Sequence, residues 1–217
     1  VKNDKKHAGN LSLLGGRPCL DFVNTLDWRG ADHPEEFLHT YQDLVAWSRH
    51  AGTISTKEAR IIMQQSKKRP SKQTKVLGKA IKLRETIYRI FASLAEGRPA
   101  TAKDLSAFNK FLARTMQNSQ IVRTKDGYNW DSKGEMAKLD WILNPLIRSA
   151  ADLLVSDELK RVKKCGDPVC GWLFLDTSRN KSRRWCNMSS CGNRAKASRF
   201  YKKRTAGVKQ KRGQVFV

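Results

Sequence analysis

The stretch CGDPVCGWLFLDTSRNKSRRWCNMSSCGNR, residues 165–194, holds four of the five cysteines of a 217-residue chain. They form two pairs with the same internal gap, C-x4-C-x15-C-x4-C, through Cys165, Cys170, Cys186 and Cys191. Two close pairs separated by a dozen or more residues bring four sulfurs around one tetrahedral ion. Disulfides are the main alternative, but an intracellular chain is kept reduced, and Cys19, the one cysteine outside the cluster, has no obvious partner. A redox dithiol usually shows a two-residue gap, which neither pair has. Soft thiolates in a closed tetrahedral set point to one structural zinc ion, although the ligand type also fits iron or an iron–sulfur centre. Cys19, between Pro18 and Leu20, reads as a small buried hydrophobe.

The neighbours of the cysteines suggest a small fold. Gly166, Pro168 and Gly171 suit a tight knuckle whose amides can turn toward sulfur charge. Residues 172–176 (WLFLD) and the stretch ending RRWC at Cys186 are expected to pair as two short strands. After Cys191, NRAKASRFYKKR carries good helix formers and no Pro or Gly until Gly207. Knuckle, hairpin, then helix is the order of a treble-clef-like finger. About sixty residues rich in Lys and Arg bury little apolar surface, so Trp172, Phe174, Trp185, Phe200 and Tyr201 are the expected core. Zinc then contributes on the order of 10 kcal/mol to such a module.

Charge is concentrated in the same region. The chain carries a formal +23, and residues 160–217 hold seventeen Lys or Arg against two acids, Asp167 and Asp176. Such a cation attracts polyanions, with nucleic acid the commonest intracellular one and an anionic membrane the competitor. On a helical wheel over 193–204, Ala197, Phe200 and Tyr201 share one side and are expected to pack, while Lys196, Arg199, Lys202 and Lys203 share the other, with Arg194 at the margin. Arg179, Lys181, Arg183 and Arg184 enlarge the patch from the preceding loop, and the whole set is the expected nucleic-acid contact.

Upstream, residues 1–158 read as a mostly helical domain with one hairpin, and 159–217 as the finger. Pro18 starts a helix that should run to about Asp27; apolar periodicity over 37–47 closes at Gly52; Ser55 and Glu58 have capping-box spacing. A long helix is expected from about Thr74 through Glu96, and Thr101 caps the next. Asp126-Gly127 sits between alternating β-formers and marks a hairpin. Pro145 should kink or divide the helix over 136–155. The four His are scattered, and Asp21, Asn24 and Asp27 are of the type that satisfies backbone groups near turns. No phosphate-binding glycine loop, paired catalytic carboxylates or nucleophile elbow is present, so no enzyme is expected. No apolar run approaches a membrane span, and the polar N-terminus lacks a signal-peptide pattern, so cytoplasm is the expected setting.

Residues 165–204 closely resemble the CGNR zinc finger, whose Cys-Gly-Asn-Arg stands here as Cys191, Gly192, Asn193 and Arg194. The segments LGGRPCLDFVNTLDWRG and DLVAWSRHAGTIS are similar, more loosely, to the ABATE domain that accompanies this finger in bacterial proteins. The resemblance implies a stress-response transcription regulator that holds zinc through Cys165, Cys170, Cys186 and Cys191. It also implies a bacterial, cytoplasmic setting, nucleic acid as the target, and a sensing or regulatory first domain. Double-stranded DNA is the first expectation for the partner, with RNA binding or a protein-interaction role as alternatives. A small-molecule effector of the helical domain is expected too.

Overall fold

A computed structural model of the chain describes residues 5–125, 127–132 and 138–201. Pro18 opens α1 (Pro18–Val23) in its first turn, where a missing N–H breaks no helical bond. The helix stops at Val23 rather than at Asp27: Asn24 takes the C-cap, and Leu26–Asp27 forms β1, antiparallel to β2 (Glu35–Glu36). The early stop has a tertiary cause, because the Asn24 and Asp27 side chains are spent on partners that a continuing helix would not present.

α2 (Tyr41–His50) ends at Ala51, with Gly52 in the left-handed region at φ 68°. Ser55 caps α3 (Thr56–Lys67) through the reciprocal bonds that its spacing predicts: Ser55 Oγ accepts from Glu58 N at 3.2 Å, and Ser55 N donates to the Glu58 carboxylate at 2.6 Å. α4 (Pro70–Ala95) begins inside the basic break, one turn before its apolar stripe, because Pro70 starts a helix well and the polar residues after it tolerate one. Thr101 caps α5 (Ala102–Gln117). β3 (Ser119–Thr124) and β4 (Gly127–Ser132) form the expected hairpin, in register from Ser119↔Ser132 to Thr124↔Gly127. Pro145 divides rather than kinks. A 3-10 turn over Leu139–Leu143 hands over to α6 (Asn144–Leu154), which places the proline in the first turn.

α4 is the axis of the fold and touches α1, α2, α3, α5 and the C-terminal strands. Its stripe of Leu83, Ile87, Ile90 and Phe91 is buried with Leu20 and Phe22 of α1, Trp47 of α2, and Leu146 of α6. Cys19 is fully buried in this core, and desolvation pushes its thiol up to about 12. The same core takes in Val162, Leu173 and Leu175 from the C-terminal segment. No helix among the described residues is long and apolar enough to cross a membrane.

The C-terminal segment keeps the order of knuckle, hairpin and helix, but its hairpin is assembled from other residues than the sequence indicates. β5 (Val162–Lys164), which precedes the first cysteine, pairs antiparallel with β6 (Leu173–Leu175) from Val162↔Leu175 to Lys164↔Leu173. The stretch ending at Trp185 forms no strand. The β5–β6 pairing lets Val162, Leu173 and Leu175 enter the shared core, while Asp176 holds residues 177–183 in a loop. A single π-turn, Met188–Gly192, leads into α7, of which residues 193–201 are described. Trp172 and Phe174 pack with the cysteines, and Trp185 lies half-buried beside them. Ala197, Phe200 and Tyr201 do not join them. Phe200 and Tyr201 are 58% and 65% exposed and stand edge to face with each other at 5.9 Å. Burial against the helical domain replaces the packing that α7 was expected to supply.

Candidate metal centre and basic face

The knuckle brings Cys165 and Cys170 together by short local bonds. Cys165 N donates to Trp172 O at 2.8 Å, closing the end of the β5–β6 ladder, and the Asp167 carboxylate accepts from Val169 N at 3.2 Å. The π-turn delivers Cys186 and Cys191 opposite them. All four Sγ atoms lie within 4.8 Å of one another and all four residues are buried. Cys170 to Cys186 and Cys186 to Cys191 both measure 3.6 Å. A disulfide requires about 2.05 Å, whereas four sulfurs about 2.3 Å from a central tetrahedral zinc stand about 3.8 Å apart. The donor set therefore fits one zinc ion. Zinc here would close the scaffold and supply no chemistry of its own, because all four positions are taken by protein.

The four sulfurs also perturb one another's ionisation. Contacts with Cys170 and Cys186 hold the Cys165 thiol well below its usual range, and contact with Cys165 pushes Cys170 and Cys186 up. Burial pushes Cys191 up as well. A divalent cation among them would favour the thiolate form of all four.

Around the sulfurs sits a polar frame. Arg194 donates Nη2 to Cys191 Sγ at 3.1 Å and Nε to Asp167 at 2.8 Å, and its guanidinium lies 4.5 Å from the ring of Trp28. Cys186 N faces Cys165 Sγ at 3.5 Å, and the Asp167 and Trp172 amides turn toward the sulfurs of Cys165 and Cys170, as expected of the knuckle. Arg183 donates to the carbonyls of Trp185 and Cys186 and lies 4.6 Å from the Phe174 ring. Asp176, fully buried, accepts from Lys163 at 2.7 Å, from both the amide and hydroxyl of Ser178, and from Arg183 N. Burial opposes its ionisation, but these donors outweigh burial and hold the carboxyl well below the usual range.

The helical domain grips the centre from the other side. Asn24 forms a two-bond clasp with Leu173, its amide donating to Leu173 O at 2.9 Å and accepting from Leu173 N at 3.0 Å. The loop after β1 runs along the knuckle, with Arg29 N donating to Cys170 O at 3.2 Å and Gly30 N to Val169 O at 3.1 Å. The approach is so close that a Cβ on Gly30 would lie 2.0 Å from Pro168 O. That loop is itself anchored to α4: Arg29 pairs with Glu85 at 2.8 Å and lies over Tyr88, and buried Arg84 pairs with Glu36 at 2.6 Å. Trp28 is held at φ 55°, a strained value for a non-glycine residue, where its ring meets Arg194.

The expected nucleic-acid residues separate into groups. Arg179, Lys181, Arg184, Lys196 and Arg199 are exposed, with Arg184 near the Trp185 ring at 5.6 Å. Arg183 and Arg194 are committed to the scaffold as well as bordering the surface. Lys202 and Lys203 lie outside the described residues. The two acids of the segment, Asp167 and Asp176, are both buried, so residues 165–201 present cations and no carboxylate to solvent. Asp21, Asn24 and Asp27 bind backbone or Lys6 as their type indicates. The docking roles of Asn24, Trp28, Arg29 and Gly30 had no signal in local sequence, since each is defined by a partner more than a hundred residues away.

Two family models cover the chain. ABATE, described as "Putative stress-induced transcription regulator", matches residues 16–157, and the CGNR zinc finger matches 161–204. No curated protein matches the sequence. The clasped helical domain and its four-sulfur centre thus fall under these two models in order, and the chain belongs to the ABATE family, with a CGNR zinc finger as its C-terminal metal site.

Proposed function

We propose that this protein is a DNA-binding transcriptional regulator, acting in a bacterial cytoplasm, in which zinc fixes a cationic face and the helical domain senses a ligand or otherwise regulates. The observation that carries this reading is the burial of both acids of the finger. Asp167 and Asp176 organise the scaffold, which leaves Arg179, Lys181, Arg184, Lys196 and Arg199 to face a polyanion without internal neutralisation. Family membership favours a regulatory role over a catalytic one.

Titration against duplex DNA at several salt concentrations tests the proposal. With Z phosphates neutralised, the log–log slope is roughly −0.9Z, and replacing Lys196 and Arg199 together by Ala should reduce its magnitude by about 2. Salt-independent or absent binding by the zinc-loaded protein refutes the proposal. Competition by structured RNA that exceeds duplex DNA would instead assign the face to RNA, and a pull-down surviving nuclease would assign it to an acidic protein partner.

A further inference from the structure

Positive charge is concentrated in a second place, outside the finger. Residues 59–84 hold nine Lys or Arg and no acid, and they run from α3 into the first half of α4. Lys75, Lys82 and Arg89 recur at a seven-residue interval, so they share one side of α4. On α5, Lys103 and Lys110 repeat that interval. A groove of about 380 Å³ runs between the two helices, and Lys82, Arg89, Lys103 and Lys110 all line it and are exposed.

The two acids of the groove are spent on the scaffold. Glu85 pairs with Arg29 at 2.8 Å and with Arg84 at 2.9 Å, and buried Asp104 pairs with Arg89 at 2.8 Å and accepts from Thr101 Oγ1 at 2.9 Å. Among the described residues no carboxylate pairs with Lys82, Lys103 or Lys110. This is the charge arrangement of the finger, repeated on a different pair of elements. Spacing then decides the kind of anion. A seven-residue interval is about 10 Å along a helix, or about three phosphates of one DNA strand, so the cations spread along a chain of charges and do not converge on one. The groove also borders the metal centre: Glu85 lines it, Arg29 bonds Glu85, and Arg29 N donates to Cys170 O at 3.2 Å.

We infer that the α4–α5 groove is a second nucleic-acid contact, in which Lys82, Lys103 and Lys110 neutralise backbone phosphates of the duplex that the finger holds. The inference rests on the DNA-binding reading and gives the helical domain a direct part in it. Phosphate contacts carry no sequence information, so the groove adds affinity equally for every sequence.

Salt titrations of duplex DNA with the zinc-loaded full chain test it, with circular dichroism and zinc content confirming that each variant is folded. Lys82→Ala, Lys103→Ala and Lys110→Ala combined, which suit exposed helix positions, should reduce the magnitude of the log–log slope by about 2–3. Binding should weaken about tenfold or more at physiological salt, equally for unrelated duplex sequences. Arg at the same three positions should keep the slope. A control combining Arg49→Ala, Lys57→Ala and Arg123→Ala, exposed on α2, α3 and β3, loses the same charge and should stay within about 0.5 of the wild-type slope, since charges beyond a Debye length are screened. A wild-type slope in the folded Ala variant, or an equal loss in the control, overturns the inference and leaves the DNA-binding reading standing. So does an Ala variant that keeps its duplex slope but loses affinity for phosphatidylglycerol vesicles, which would assign the groove to a membrane. Absence of salt-dependent duplex binding by the wild type strikes the DNA-binding reading, and this inference with it.

Discussion

Asn24→Ala should loosen the finger without touching a cysteine. The wild-type amide is 3% exposed and satisfies both Leu173 N–H and Leu173 C=O, on a residue that is itself fully buried. Truncation leaves two buried backbone groups unpaired at about 1–3 kcal/mol each, so a loss of about 2–5 kcal/mol is expected after partial relaxation. Asn24→Asp should cost at least as much near neutral pH, because its carboxylate can accept from Leu173 N but confronts Leu173 O with a negative charge. Urea unfolding of the zinc-saturated protein reads the loss. Because Val162, Leu173 and Leu175 share the helical core, fluorescence and circular dichroism should report one transition, and zinc should reach a chromogenic chelator faster in the variant. The reasoning fails if Asn24→Ala lies within about 0.5 kcal/mol of wild type, the range of an ordinary surface change, or if the helical region unfolds as before while zinc release alone changes.

Elemental analysis should find one zinc per chain, and chelation should lower the melting temperature of the whole molecule reversibly, since zinc is worth on the order of 10 kcal/mol to such a site; a metal-free chain with unchanged melting contradicts the metal centre. Gly30→Ala places a methyl against Pro168 O and should disrupt the Arg29–Cys170 and Gly30–Val169 bonds, costing about 2–4 kcal/mol in thermal unfolding. Asp21 supplies a pH test. Burial raises its carboxyl to about 6 from 3.8, so the folded state binds the proton more tightly than the unfolded one. That stabilisation is complete below about pH 4 and is lost as pH rises through about 6, a change of about 1–3 kcal/mol. Asp21→Asn, which can still accept from Gly15 N, should flatten this part of the stability profile, and a mutant profile parallel to wild type would show that Asp21 does not titrate there.

Much of the local structure was legible because its causes are local. The Ser55–Glu58 and Thr101 caps, the hairpin at Gly127 and the helix start at Pro18 each depend on residues within a few positions. Where sequence reading went astray, a distant partner had intervened. α1 ends early because Asn24 serves Leu173, and β6 chooses β5 over the stretch before Trp185 because that pairing buries Val162, Leu173 and Leu175. Phe200 and Tyr201 were assigned to a core that the helical domain supplies instead.

By itself the sequence determined the metal-binding set, since four thiolates at fixed spacing need only a turn and a helix start to converge. It likewise determined the excess of positive charge. Only the tertiary structure decided which charges face solvent and how the finger is held. Burial of Asp167 and Asp176 depends on donors that the folded chain brings to them, and the clasp at Leu173 and the Gly30 contact join groups separated by more than a hundred residues. Such pairings are fixed by the shape of a shared core, which no local pattern encodes.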